Sequence, residues 1–232
     1  FAYNRYRAKQ KLLLQMQGME YEQKLMYLQM NPHFIFNALG SISSYITLQE
    51  KNKAVQYLSK FSQLIRKKLE TGRKGSIRIE EEVENLTNYL DLEKIRLDEP
   101  FNYEIEVGGG LTGLESIPPM LIQPFVENAV LHGVHDLEGE GRIAISFGIE
   151  NGKIICAISD NGIGRKKRSE QMNGDHVSLS TAIVSDYFHS RNSRKRDAYA
   201  LWIADEKPGD ANPGTRVTIE LAEYKENESN YN

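Results

Sequence analysis

Cysteine is almost missing from this chain: Cys156 is the single one in 232 residues. One thiol excludes an intrachain disulfide and a cysteine-built zinc site, and the scarcity fits a reducing compartment. Cys156 lies in the apolar run from Ile154 to Ile158 and reads as a small core residue. Long hydrophobic runs are also missing, since none approaches the ~20 residues needed to cross a membrane, and no signal peptide is visible. An excess of charge of one sign is the third absence. The formal net charge is −3, which gives no global attraction to nucleic acid or anionic lipid. Nucleic acid is therefore not an expected partner, and the basic clusters from Arg165 to Arg168 and from Arg191 to Arg196 read as solvated loops. There are no internal repeats. What is present is ordinary for a globular protein: 40% hydrophobic and 26% charged residues, in a length that allows one large or two modest domains with real cores.

The chain opens on Phe1-Ala2-Tyr3 followed by Arg5, Arg7, Lys9 and Lys11. Aromatic residues and then positive charge mark the cytoplasmic end of a membrane span. The expectation is a cytoplasmic portion of a membrane-anchored protein, with residues 1–24 as a signalling helix or linker; a natural soluble amino terminus fits the same residues. Residues 1 to about 48 read as one long helix, interrupted only by Pro32, where a kink is expected. Leu25, Leu28, Pro32, Ile35, Leu39, Ile42 and Ile46 recur at steps of three and four, a seam of coiled-coil type. A second helix, from about Asn52 to Thr71, shows Ala54, Leu58, Phe61, Ile65 and Leu69 on its apolar face. Two antiparallel helices cannot bury such seams alone, so residues 25–72 predict a hairpin that pairs with a second copy into a four-helix bundle, a homodimer.

Beyond the boundary at Thr71 to Ser76 the pattern changes. Helices are predicted over Ile79 to Leu97, about Leu121 to His132 and about Ser178 to Phe188. Strands are predicted over 101–107, 142–149, 153–159, 199–204 and 216–221, with Asn151-Gly152 as a hairpin turn. The fold class is therefore α+β: a helical hairpin followed by a two-layer α/β sandwich over residues 76–222, and a polar tail at 223–232.

Four segments carry candidate chemistry. In Asn31-Pro32-His33-Phe34-Ile35-Phe36-Asn37, His33 points roughly 130° from the centre of the predicted stripe and so faces outward, with Asn37 on the same face. An exposed neutral imidazole is a competent nucleophile near neutral pH, although a lone helical histidine usually does nothing. Asn128, polar in an apolar helix, is either a surface asparagine or an amide oxygen of the kind that binds magnesium. In Asp160-Asn161-Gly162-Ile163-Gly164, an aspartate closes a buried strand and glycines let the backbone approach a ligand; ordinary turns look the same. Pro213-Gly214-Thr215 leads into the last strand.

In this order the segments resemble the LytS-like family of sensor histidine kinases, whose ATP-binding fold is shared by gyrase, Hsp90 and MutL. The resemblance covers about Leu25 to Leu221. Residues 31–37 match the family's H box, Pro118 to Ala129 (Pro-Pro-Met-Leu-Ile-Gln-Pro-Phe-Val-Glu-Asn-Ala) its N box, 160–164 its first glycine box, and Gly214-Thr215 its last. The resemblance implies autophosphorylation of His33 from Mg-ATP and transfer to an aspartate of a response regulator. It implies that Asn128 holds Mg2+, that Asp160 pairs with the adenine amino group, that Gly162 and Gly164 shape the base pocket, and that His132 packs near the nucleotide. Asn37 is expected to orient water for dephosphorylating the regulator.

Three departures bear on this. Leu131 stands where the N box usually carries lysine. The second glycine box has no clear match, with His176-Val177-Ser178-Leu179 the nearest candidate, and Arg165, Lys166, Lys167 and Arg168 are the basic residues between that could offer phosphate charge, although solvated loop residues are the commoner case. Phe34 follows the histidine where other kinase families place an acid, so no general base is evident, which phosphoryl transfer tolerates because it is largely positioning and charge neutralisation. The alternative is a nucleotide-binding pseudokinase scaffold without phosphotransfer, favoured by Leu131 and the eroded box. A hydrolase of the gyrase type places its glutamate one turn before the asparagine; here Glu127 is adjacent to Asn128 and position 124 is proline. A plain coiled-coil interaction protein leaves the ordered boxes unexplained.

Overall fold

The computed structural model describes residues 32–72, 74–97, 101–135, 137, 139–165, 179–192 and 199–221. Two helices, α1 (Pro32–Thr47) and α2 (Lys51–Thr71), form a hairpin. A short strand β1 (Ile77–Arg78) leads into α3 (Ile79–Arg96), whose first turn carries Glu80, Glu81 and Glu82 and whose last turn carries Lys94 and Arg96, both matched to the helix dipole. Then come β2 (Asn102–Val107), β3 (Ser116–Ile117) and α4 (Gln123–Asn128), which runs on into a π-helical turn over Ala129–Val134. The strands β4 (Arg142–Glu150) and β5 (Lys153–Asp160), the helix α5 (Leu179–Asn192), and β6 (Tyr199–Asp205) and β7 (Thr215–Leu221) complete the chain.

Five strands form one mixed sheet in the order β2-β4-β5-β7-β6. Only β2 and β4 run parallel, a pairing that needs a crossover, supplied here by the α4 segment. Between β4 and β5, Asn151 and Gly152 take φ of 52° and 76°, the doubly positive turn whose twist matches a tight hairpin. Alternate residues of the sheet face one way: Ile143, Ile145 and Phe147, then Ile154, Cys156 and Ile158, then Val217, Ile219 and Leu221 are all buried. Leu86 and Leu90 of α3, Phe125, Val126 and Val130 of the α4 segment, and Val184 and Phe188 of α5 belong to the same core. This gives the α+β sandwich expected from the sequence. A second, two-residue ladder joins Ile77 to Ile117 and Arg78 to Ser116, too short to leave a periodic trace.

The hairpin packs on α3, and its buried face differs from the predicted one. Phe34 and Ala38 of α1 and Ala54, Tyr57 and Leu64 of α2 are buried, all but Ala54 in one cluster with the sandwich core. Ile42, Phe61 and Ile65 border it. Leu39, Ile46, Leu58 and Leu69, assigned above to the seam, are each more than 40% exposed. The helices therefore carry two apolar faces, and the stripe read in the sequence straddles them, with Ala54, Ile42, Phe61 and Ile65 turned inward. Among the described residues, no helix is long and apolar enough to cross a membrane.

Candidate functional site

The site is built where β5 and β7 begin and end together. Asp160 closes β5 opposite Thr215, the first residue of β7. The Asp160 carboxylate is 7% exposed, and its Oδ1 accepts the backbone N–H of Gly162 at 2.9 Å and of Thr215 at 3.2 Å. Two such bonds fix the direction of a buried carboxylate. Gly214 N–H donates to the Gly162 carbonyl at 3.0 Å, so the first and last glycine segments are joined directly. Next to Asp160, Asn161 locks the strand end: its Oδ1 accepts from Arg142 N–H at 2.7 Å and its Nδ2 donates to the Glu140 carbonyl at 2.9 Å.

The glycines are there because there is no room for anything else. A Cβ on Gly162 would lie 2.1 Å from the carbonyl oxygen of Gly133, and one on Gly133 would lie 2.7 Å from the Asp160 Cγ. Gly214 has φ of 65° and would bring a Cβ to 2.1 Å from the Asp160 carbonyl oxygen; Gly164, at φ 76°, would meet Pro213. Asp160, Gly162, Gly164, Gly214 and Thr215 are thus gathered into one cluster. Gly133 is an addition to the residues read from the sequence: it lies four residues beyond the N box, and its role is a tertiary contact that no local pattern announces.

Gly133 sits in the π turn, so the cluster presses on the element that carries the N box. Asn128 ends the regular part of α4 and His132 lies in the π turn; both are half-buried. Local π geometry is frequent at functional sites. A cavity of about 290 Å³ opens beside Asp160, lined also by Glu140, Glu206, Lys207 and Asp210. Its carboxylates suit a base edge better than a phosphate chain. No group of three or more His, Cys, Asp or Glu side chains able to hold a metal occurs among the described residues. A single amide oxygen with phosphate and water making up the rest suits Mg2+, which keeps most of its shell from elsewhere. A buried acceptor opening on a polar cavity suits an amino-bearing base. These residues fit an adenine nucleotide with magnesium.

The family model for histidine kinases matches residues 21–101. Sensor histidine kinase BtsS of Escherichia coli strain K12 is 33% identical over 183 residues, covering 72% of this chain and 32% of its own length. Sensor protein LytS of Streptococcus mutans is 36% identical over 145 residues, 62% of this chain and 24% of that one. The chain belongs to the LytS-like sensor histidine kinases. It spans about a third of the length of the curated relatives it matches. The histidine kinase domain of the Erythrobacter litoralis blue-light activated kinase superposes over 88% of this chain at 14% identity and a TM-score of 0.46; the family assignment rests on the sequence relatives.

His33 stands on α1, and its side chain lies outside the described atoms. Asn37, one turn on, is half-buried, and its carbonyl accepts Ser41 Oγ at 3.1 Å. Phe34 explains its own departure from an acid: it points inward, 6% exposed, against Phe61 and Tyr89 with ring centroids 5.7 Å apart in both pairs. Arg165 is tied to β6, its Nη1 donating to the Ile203 carbonyl at 2.9 Å and its N–H to Asp205 at 3.2 Å. Lys166, Lys167 and Arg168, the segment His176-Val177-Ser178, and the residues before Pro32, on which the expected kink depends, lie outside the described residues.

The hairpin and the N-box helix meet through charge. Lys68 of α2 donates to Glu127 Oε1 at 3.1 Å, and Gln123 Nε2 donates to the same oxygen at 3.0 Å. Lys67 pairs with Glu84 at 2.5 Å and Lys74 with Glu81 alongside. Tyr45 Oη, on α1, donates to the Ile95 carbonyl at 2.7 Å. Sequence reading did not mark Lys68, and it weighed Glu127 only as a hydrolytic base and set it aside.

Proposed function

We propose that this chain is the catalytic core of a sensor histidine kinase that moves the γ-phosphoryl group of Mg-ATP to His33 and then to an aspartate of a response regulator. One observation carries the reading: a single helix, α4 with its π turn, touches the Asp160 glycine cluster through Gly133 and the His33-bearing hairpin through Glu127. That one element joins the proposed base pocket, metal ligand and acceptor helix supports the reading.

In this reading Asp160 accepts a hydrogen bond from the adenine amino group, and its two backbone donors keep the carboxylate aimed. Gly162, Gly164, Gly214 and Thr215 form the cleft wall, and His132 packs near the nucleotide. Asn128 supplies an amide oxygen to Mg2+. When bound, Mg2+ spreads the charge that develops on the triphosphate. His33 attacks as neutral imidazole: a P–N bond forms, the bond from γ-phosphorus to the bridging oxygen breaks, and ADP leaves. Asn37, on the helix of His33, orients a water when the regulator is dephosphorylated. Glu127 is engaged by Lys68 and Gln123, which speaks against a hydrolytic base at that position. The active form is a homodimer through the exposed hairpin face, and the full-length protein is anchored in a membrane with this portion in the cytoplasm.

The test is His33→Gln. With labelled ATP the variant is expected to bind nucleotide as the unaltered chain does and to accumulate no acid-labile phosphate. Undiminished labelling would remove His33 from the mechanism.

A further inference from the structure

We infer that Lys68 is a positioning residue for the magnesium site and acts on Asn128 through Glu127; the inference rests on the kinase reading above. Lys68 lies on the inward face of α2 with Ala54, Tyr57 and Leu64, and is 4% exposed. An ammonium stripped of water must be paired, and a leucine would fill the same position without that desolvation cost. Packing alone therefore does not account for a lysine here. Its Nζ is 3.1 Å from Glu127 Oε1 and lies over the rings of Phe34 at 5.0 Å and Tyr89 at 5.7 Å. One cation consequently bridges the residue after His33 and the residue before Asn128.

The helix geometry turns that bridge into a control on Asn128. Successive residues on a helix point about 100° apart, so fixing Glu127 toward the hairpin fixes the direction of Asn128. The constraint acts where it is needed, because Asn128 is the last residue before the backbone changes from α to π hydrogen bonding. Gln123, one turn earlier on the same helix, holds the same carboxylate oxygen, so the pair sets the rotation of the helix and not only of one side chain. A displacement of α2 along its axis would pull Glu127 and rotate Asn128 with it, which gives the hairpin a route to the metal site that bypasses the sheet.

The experiment compares the unaltered chain with Lys68→Met, Lys68→Arg and Glu127→Gln, measuring ATP binding by calorimetry with and without magnesium, and amide hydrogen exchange over 123–134 without nucleotide. Lys68→Met is expected to lose roughly tenfold or more of the magnesium-dependent gain in affinity, as for residues that orient a metal ligand, and to keep its magnesium-free affinity. Its α4 segment should also exchange faster. Lys68→Arg should recover most of both, since it keeps the charge. The inference is overturned by a folded Lys68→Met with unchanged magnesium dependence, or with equal losses in both affinities, which would mark a merely structural role. Should Lys68→Met not fold, Glu127→Gln decides: weakened magnesium dependence supports the inference and an unaltered one overturns it. If the unaltered chain binds no Mg-ATP, the kinase reading fails, while the exchange comparison still settles whether Lys68 holds α4.

Discussion

Glu82 sits in the first turn of α3 with its side chain in the core, 2% exposed, and its Oε1 has no hydrogen-bond partner among the described residues. Burial pushes its pKa up from 4.5 to about 7; a hydrogen bond from Asn85 and the charge of Lys68 pull it back, and Glu81 pushes it further. Between those two values the folded chain holds a proton that the unfolded chain has released. Stability from this residue is therefore full below the unfolded pKa and is lost as pH rises through about 7, by about 3 kcal/mol in all. Glu82→Gln should remove that loss: in denaturant melts it gains up to about 3 kcal/mol over the unaltered chain near pH 8 and little near pH 5, and parallel curves at both would refute the assignment. Gly162 makes a steric prediction of the same grain. A Cβ there meets the Gly133 carbonyl at 2.1 Å, whereas a Cβ on Gly148 meets nothing within 4 Å. Gly162→Ala should cost about 1–3 kcal/mol through overpacking and abolish ATP binding by pushing the π turn off Asp160. Gly148→Ala should do neither, and an alanine at 162 that binds ATP normally would show the close approach to be dispensable.

Elements were legible in proportion to how locally they are determined. The turn at Asn151-Gly152 needs two positive φ values, a demand that only a few residue pairs meet, so the sequence announces it. The strands flanking it alternate because one face of the sheet is covered. The ladder between β1 and β3 is two residues long and has no period to detect. The π turn follows a helical pattern correctly read as helix; its widening is a tertiary effect of Gly133 packing on Asp160. In α1 and α2 the apolar residues occupy two adjoining faces, and a periodicity argument returns one direction for both. That direction fell between the two, taking in Ala54, Ile42, Phe61 and Ile65 on the inner side and Leu39, Ile46, Leu58 and Leu69 on the outer, and it missed Phe34, Tyr57 and Lys68, which hold the hairpin to α3 and α4. The glycine and N-box residues were legible as a motif, but the reason for each glycine is a neighbour distant in sequence.

At the scale of the molecule, the outer face of the hairpin asks for an occupant. Phe36, Leu39, Ile46 and Leu48 of α1 and its following turn, with Val55, Leu58 and Leu69 of α2, are 43–71% exposed. Monomeric proteins seldom leave so many large apolar side chains on one surface. A second copy supplies the same face in return, and antiparallel helix pairs close into four-helix bundles by burying such stripes against each other. The glycine cluster at Asp160, the proposed nucleotide site, lies in a different part of the chain and shares no residue with this face, so the two properties should separate on mutation. Leu39→Glu with Leu58→Glu places carboxylates in the seam, where they cannot be hydrated. Sedimentation of the unaltered chain should give a dimer and of the double variant a monomer, with ATP affinity retained. A double variant that still sediments as a dimer would place the contact elsewhere. An unaltered chain that is monomeric at every concentration tested would leave the stripe without a partner of its own kind and take the bundle out of the proposal.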